Sequence, residues 1–314
     1  MKTLKYKLKL EGLDSPSGTI STRELFTFLE QFTSCAERGL RLAIEGQSSK
    51  TGPAPKWLEK ATDFLFTGLQ KGSTVLGIEA PVLKDALSDQ NIQQDLWGTT
   101  PDPDDTAISF IARSIRDATA ENLESDYFDA GVLSSLLEMK SFFSDNKKTI
   151  KIHCAEKKQE DFSIDFPIIE KVENLKIRIP ESRAIMMAGR LEEVGYSRKR
   201  FRLDLADGQI IPGQIDEEFV DVEELRRLWG KKVSIKGTVN YKPSGKIRLL
   251  EAQMLKLMEE GEEVFENVLV VQTEFEFIRQ LTTTSTRRNW LNDVRGKWPG
   301  DESIDDLINE LENR

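Results

Sequence analysis

The residues able to do covalent, acid–base or metal chemistry are few, and their spacing brings none of them together. His153 is the only histidine among 314 residues, and Cys35 and Cys154 are the only cysteines. A Ser–His–Asp or Cys–His arrangement, or a histidine-ligated zinc site, would have to use His153. No second histidine and no Cys-x-x-Cys supports it, so it reads as a strand residue with one ring nitrogen satisfied. The two cysteines make no disulfide framework and read as free, half-buried thiols of a reducing compartment. Asp102, Asp104 and Asp105 stand in a Pro-containing segment ahead of a helical pattern. Carboxylates there favour the helix dipole, and N-terminal capping explains them better than a metal cluster does. The run Gly46-Gln47-Ser48-Ser49-Lys50-Thr51-Gly52 lacks the G-x-x-x-x-G-K-[ST] order and a feeding strand, so it reads as a surface loop. The expectation is a protein that is not an enzyme and has neither cofactor nor metal.

Two groups of residues do point to binding. The first is in the middle of the chain, where Tyr196, Arg198, Lys199 and Arg200 fill one turn and Tyr241, Lys242 and Lys246 another. Cations beside rings are what single-stranded nucleic acid requires, charge for phosphates and faces for bases. The second lies near the end. Ser303 and Asp306 form an [ST]-x-x-[DE] capping box, and Ile304, Leu307, Ile308 and Leu311 fall at i, i+3, i+4 and i+7. A helix this short barely holds alone in water, so its stripe, with Trp290 and Trp298, needs a surface to lie on. Around it a basic arm (Arg287, Arg288, Arg295, Lys297) precedes an acidic stretch (Asp301, Glu302, Asp305, Asp306, Glu310, Glu312), the form of a recognition peptide.

The string Gly296-Lys297-Trp298-Pro299-Gly300-Asp301-Glu302-Ser303, followed by that stripe, resembles the C-terminal tails of bacterial antitoxins paired with PIN-domain ribonuclease toxins of the VapBC type. The resemblance implies a tail laid across a toxin. Arg295 and Lys297 would approach its acidic, Mg²⁺-binding pocket, and Trp298, Ile304, Leu307, Ile308 and Leu311 would be the groove anchors; Trp290, just ahead of the string, is expected to bind the partner with them.

The elements that must carry these groups divide the chain into four parts. Residues 1–178 read as an N-terminal α+β domain of mixed helix and strand. Leu4, Tyr6, Leu8 and Leu10 alternate with lysines as a first strand, and Ser21 opens a long helix that Gly46 stops. Strands are expected at 64–66 and 75–78 around a Gly turn, helices at 104–121 and 127–143, and strands at 150–153 and 162–166. Residues 179–258 carry alternating runs at 185–191, 201–205 and 210–211, with Asp207-Gly208 as a hairpin signal and Pro212 and Gly213 ending or bulging the third strand. Asp221 caps a short helix ending at Trp229-Gly230, and two more strands follow at 233–239 and 247–257. Strand-strand-strand-helix-strand-strand resembles an OB fold, a small five-stranded barrel whose 1–2 and 4–5 loops bind oligonucleotides or oligosaccharides. Residues 259–286 read as an acidic, Thr-rich connector with a β-prone run at 268–277. Residues 287–314 form the partner-binding tail, extended and ending in the short amphipathic helix.

The net charge of −10 and a pI near 5.0 argue against broad nonspecific nucleic-acid binding while leaving local basic patches open. No signal-peptide pattern and no apolar run of spanning length occurs, so a cytoplasmic protein with no membrane partner is expected. The leading expectation is a toxin-neutralising protein of a toxin–antitoxin system. The alternative is a protein that binds single-stranded nucleic acid through the barrel, and operator DNA is a further candidate partner.

Overall fold

The computed structural model describes residues 2–13, 15–16, 18–50, 52–70, 74–87, 101–143, 147–195, 200–215 and 219–267. The chain divides into two units, Met1–Val271 and Gln272–Arg314. The β-prone run at 268–277 and the whole tail from 287 lie outside the described residues.

The fold is α+β. In β1 (Thr3–Glu11) the alternation predicted from sequence is met: Leu4, Tyr6, Leu8 and Leu10 are buried and the lysines between them face solvent. The strand sits at the centre of a five-stranded antiparallel sheet with β2 (Leu65–Leu69), β3 (Val75–Pro81), β4 (Thr149–Cys154) and β5 (Phe162–Ile164), in the order β2-β3-β1-β4-β5. Helices cover the apolar face. The longest is α1 (Thr22–Glu45), where Ser21 Oγ accepts from Glu24 N (3.2 Å) at the start and Gly46 at φ 80° ends the helix. Gly39 lies mid-helix because α1 crosses α4 (Ala107–Thr119) there, and a Cβ would sit 3.1 Å from Phe110 Cβ. Helix α5 (Ala130–Glu138), extended by a 3₁₀ turn to Phe143, completes the core with Phe28, Phe32, Phe110 and Phe128.

Three helices were not anticipated: α2 (Lys56–Ala61), α3 (Leu83–Ala86) and α6 (Phe166–Arg178). The last corrects the strand expected to reach Phe166. Asp165 accepts from Ile168 N (3.1 Å) as an N-cap, and Pro167 occupies the first turn, where its missing N–H costs no bond.

The second half of the unit is a closed barrel of β6 (Arg183–Gly195), β7 (Arg200–Asp204), β8 (Ile210–Ile215), β9 (Lys232–Tyr241) and β10 (Ile247–Leu257). Strand β6 pairs with both β7 and β9, and β8 closes on β10 as the parallel pair. Helix α7 (Val222–Arg227) lies between β8 and β9. This is the order expected of an OB-like barrel. Strand β8 runs on through Pro212 and Gly213 rather than ending there. Glycine is required because a Cβ at 213 would meet the Phe201 ring at 2.2 Å. The barrel has its own core, built on Leu191, Phe201, Leu203, Val233, Ile235 and Leu250. No described helix is long and apolar enough to cross a membrane.

Candidate functional site

Among the described residues of the candidate nucleic-acid turns, the cations Arg200, Lys242 and Lys246 have partners in the α+β half. Turn residues 242–245 carry the chain from β9 to β10, closed by Lys242 N to Lys246 O (2.8 Å). Lys242 Nζ reaches Asp126 Oδ1 at 2.8 Å and donates to Glu124 O at 3.0 Å. Lys246 Nζ lies 3.0 Å from Glu124 Oε1. Burial alone would raise the Glu124 carboxyl, but hydrogen bonds from Lys246 and Ser244 outweigh it and hold it below the ordinary carboxylate range. Arg200, at the start of β7, donates from Nη2 to Ile44 O (2.8 Å) at the end of α1. Tyr241 is buried in the barrel core, which pushes its phenol up. The described members of that set are therefore used to seat the barrel. Tyr196, Arg198 and Lys199 lie outside the described residues.

Arg248 on β10 joins the two halves most tightly. Its guanidinium donates to Asp126 O (2.7 Å), Phe128 O (2.8 Å) and Ser125 O (3.2 Å), gathering the carbonyls of the loop between α4 and α5. Burial lowers its pKa against the opposing pull of Asp129 and Asp126. Sequence pattern offered little sign of this, because one arginine in an alternating strand looks like any solvated position. A cleft of about 390 Å³ opens beside it, lined among others by Ser48, Ser49, Gly131, Lys176, Asn240 and Tyr241. One wall is the loop after α1. Asp129 caps α5 by accepting from Val132 N (2.9 Å) and takes both Ser48 N (2.9 Å) and Ser48 Oγ (2.6 Å). That loop, read as a surface loop, is thus pinned at Ser48, which is buried. The cleft is lined by both signs of charge, Glu181 as well as Lys176 and Arg248, and singles out no ligand class.

The other chemistry-bearing residues are separated and individually satisfied. His153 Nδ1 lies 3.0 Å from Asp161 Oδ2 on the exposed side of β4. Cys35 and Cys154 are free and buried, deeper than the half-buried position expected. Burial pushes the Cys35 thiol up to about 12, far from a nucleophile's range. The acidic run does not cap α4. Thr106 is the N-cap, forming a capping box with Ser109. Asp104 pairs instead with Lys84 and Lys2, and the buried Asp105 with Arg113 and Lys157.

One buried polar network was not foreseen. Tyr6 Oη donates to Glu160 Oε2 (2.7 Å), Ser109 Oγ donates to the same oxygen (2.9 Å), and Lys157 Nζ lies 3.4 Å from Glu160 Oε1. It ties β1, α4 and the turn before β5 together at the closed centre of the fold, where a fully satisfied network specifies packing. Among the described residues no group of three or more His, Cys, Asp or Glu could hold a metal ion.

No protein-family model, curated protein or solved structure matches this chain. The tail anchors Trp290, Arg295, Lys297, Trp298, Ile304, Leu307, Ile308 and Leu311 lie outside the described residues.

Proposed function

We propose that the chain is an antitoxin-like binding protein whose C-terminal tail neutralises a partner, most concretely a PIN-type ribonuclease. The observation that carries the reading is the sequence of the tail, which falls in the second of the two units, Gln272–Arg314. An apolar stripe on a helix too short to hold alone calls for a surface to lie on, and the order of basic arm and acidic amphipathic helix suits a partner with an acidic pocket beside a groove. Trp298, Ile304, Leu307, Ile308 and Leu311 supply affinity, while Arg295 and Lys297 compete with metal or RNA at the partner's acidic residues. Engagement of Lys242, Lys246 and Arg200 within the chain supports the same choice, since it takes cations away from the competing use of the barrel. The test is capture of this chain from its native host with identification of the bound protein, followed by co-expression of the pair. Trp298→Ala in the full chain weakens binding about 30-fold or more, the effect of losing one hot-spot anchor of ~2 kcal/mol. Retention of full affinity by that variant and by Ile304→Asp would refute the reading.

The strand order of the barrel favours a second reading, binding of single-stranded nucleic acid through the 195–200 and 241–246 turns. Through the second turn, such binding has to break the ion pairs of Lys242 and Lys246 first. The reading predicts a salt-sensitive oligonucleotide affinity that falls when Arg198 and Lys199 are reversed to glutamate, and its absence at low salt ends it.

A further inference from the structure

The pole of the barrel opposite the 241–246 turn carries a basic and aromatic surface. Strand β9 spans ten residues from Lys232 to Tyr241, which at about 3.3 Å per residue places the two ends roughly 30 Å apart. At its start the run Arg226-Arg227-Leu228-Trp229-Gly230-Lys231-Lys232 has four cations and no acid, in a chain of net charge −10. Leu228 points into the core, and the other six residues are exposed. Trp229 is 63% exposed, which is unusual for the largest apolar side chain.

That exposed ring is held in place. Its indole Nε1 donates to Glu192 O (2.6 Å), Gly230 N donates to Leu191 O (2.7 Å), and Leu191 N donates to Lys231 O (3.0 Å). Gly230 at φ 72° makes the turn that brings the peptide groups onto β6. With its N–H satisfied by its own backbone, the indole offers its face as a fixed platform. The charges around it divide into two sets. Lys232 is held by Glu266 (2.6 Å), and Arg190, its cross-strand neighbour, by Glu192. Arg226, Arg227 and Lys231 have no ion pair among the described residues.

We propose that this pole, with Trp229 as the stacking face and Arg226, Arg227 and Lys231 as phosphate contacts, is a binding site for single-stranded nucleic acid. A fixed aromatic face flanked by unpaired cations stacks any base and neutralises the backbone on either side, which is sequence-tolerant single-strand recognition. An acidic peptide would use the cations but has no need of an immobilised indole face. The site shares no residue with the 195–200 and 241–246 turns.

The test is fluorescence anisotropy of labelled oligo-dT and oligo-rU with the full chain, at salt between 50 and 200 mM. Three neutralised phosphates give a slope of about −2 in log affinity against log salt, hence about a 20-fold loss over that range. Trp229→Ala weakens binding about tenfold or more. Arg226→Gln with Arg227→Gln cuts the slope to roughly one third, and Arg226→Glu with Arg227→Glu abolishes binding at 200 mM. Lys7→Glu, on the exposed face of the sheet, leaves it unchanged. All three side chains substituted at the pole are exposed, so thermal melting of the variants stays near the wild-type value. Preference between the two oligonucleotides assigns the site to DNA or RNA, and either supports the proposal. Absence of binding at 50 mM salt, or binding indifferent to both sets of substitutions, overturns it. So does displacement of the oligonucleotide by an acidic peptide of residues 301–314 whose own binding needs Trp229, because the pole is then a peptide dock. Ribonuclease neutralisation by the tail is read by a separate assay and does not depend on this result.

Discussion

Substituting Arg248 tests how the two halves of the folded unit are joined. Its guanidinium makes three hydrogen bonds to the carbonyls of Asp126, Phe128 and Ser125, at 2.7, 2.8 and 3.2 Å. A hydrogen bond from a charged donor contributes ~1.5–3 kcal/mol, and a neutral one ~1. Water can replace the arginine at the exposed Asp126 carbonyl, and the 3.2 Å bond is the weakest, so the sum falls well below three full charged bonds. Arg248→Ala is expected to destabilise by ~2.5 kcal/mol, part of it from packing lost along the side-chain stem. Arg248→Lys keeps the charge, but one ammonium cannot span three carbonyls in a fork, so about half of the loss remains. Lys242→Ala removes an ion pair at the rim and costs ~1 kcal/mol or less. In urea titrations followed by tryptophan emission and far-UV circular dichroism, an m-value of ~2.5 kcal/mol/M turns the Arg248→Ala loss into a midpoint shift of ~1 M. A shift under about 0.2 M, or a larger one for Lys242→Ala than for Arg248→Ala, would refute the claim that this arginine is the main tie.

Three further outcomes follow from the geometry. Glu160→Ala leaves Tyr6, Ser109 and Lys157 without their shared acceptor in a closed interior and should cost ~3 kcal/mol in chemical denaturation, against ~1.5 for Tyr6→Phe. Gly213→Ala forces a Cβ into the Phe201 ring and should destabilise by ~2–3 kcal/mol, with native-state hydrogen exchange rising across β7 and β8. Glu262 is held at about 2 by the Lys256 ammonium, Glu259 N–H and Ser234 hydroxyl, below an ordinary 4.5. A carboxyl depressed in the folded state stabilises above its unfolded pKa. Its contribution is full above about pH 4.5 and is lost as pH falls toward 2, and Glu262→Gln should flatten the stability profile in that window alone.

Much of this fold was legible because its signals are local. Leu4 to Leu10 show their buried face by alternation, Ser21 and Gly46 mark both ends of α1, and Asp207-Gly208, with Gly208 at φ 82°, marks the β7–β8 hairpin. The barrel order could be read because each of its strands is bounded by turn residues. What was lost depends on long-range contacts. Nothing in β1 states that its neighbours are β3 and β4, drawn from residues about 70 and 150 positions away. Helix α6 was hidden because Phe162 to Phe166 is β-prone and Asp165-Phe166-Pro167 looks like a break, whereas Asp165 is a cap and Pro167 a first-turn residue. The candidate loop cations were found by composition, but their use was not. Whether Lys242 faces solvent or Asp126 depends on how the barrel is seated, and a loop's own residues do not encode that. The surface around Trp229 is hidden for the opposite reason: Trp229-Gly230 reads as the end of a short helix, and a helix terminus does not say that the ring is exposed.

The measurement closest to the central claim is ribonuclease activity of the proposed PIN-type partner titrated with this protein. The wild-type chain should bring cleavage to background near one equivalent. Arg295→Ala with Lys297→Ala should bind but inhibit poorly, and Trp298→Ala with Ile304→Asp should do neither. Undiminished inhibition by all of these variants, or cleavage that persists at saturating wild-type protein, would contradict the account.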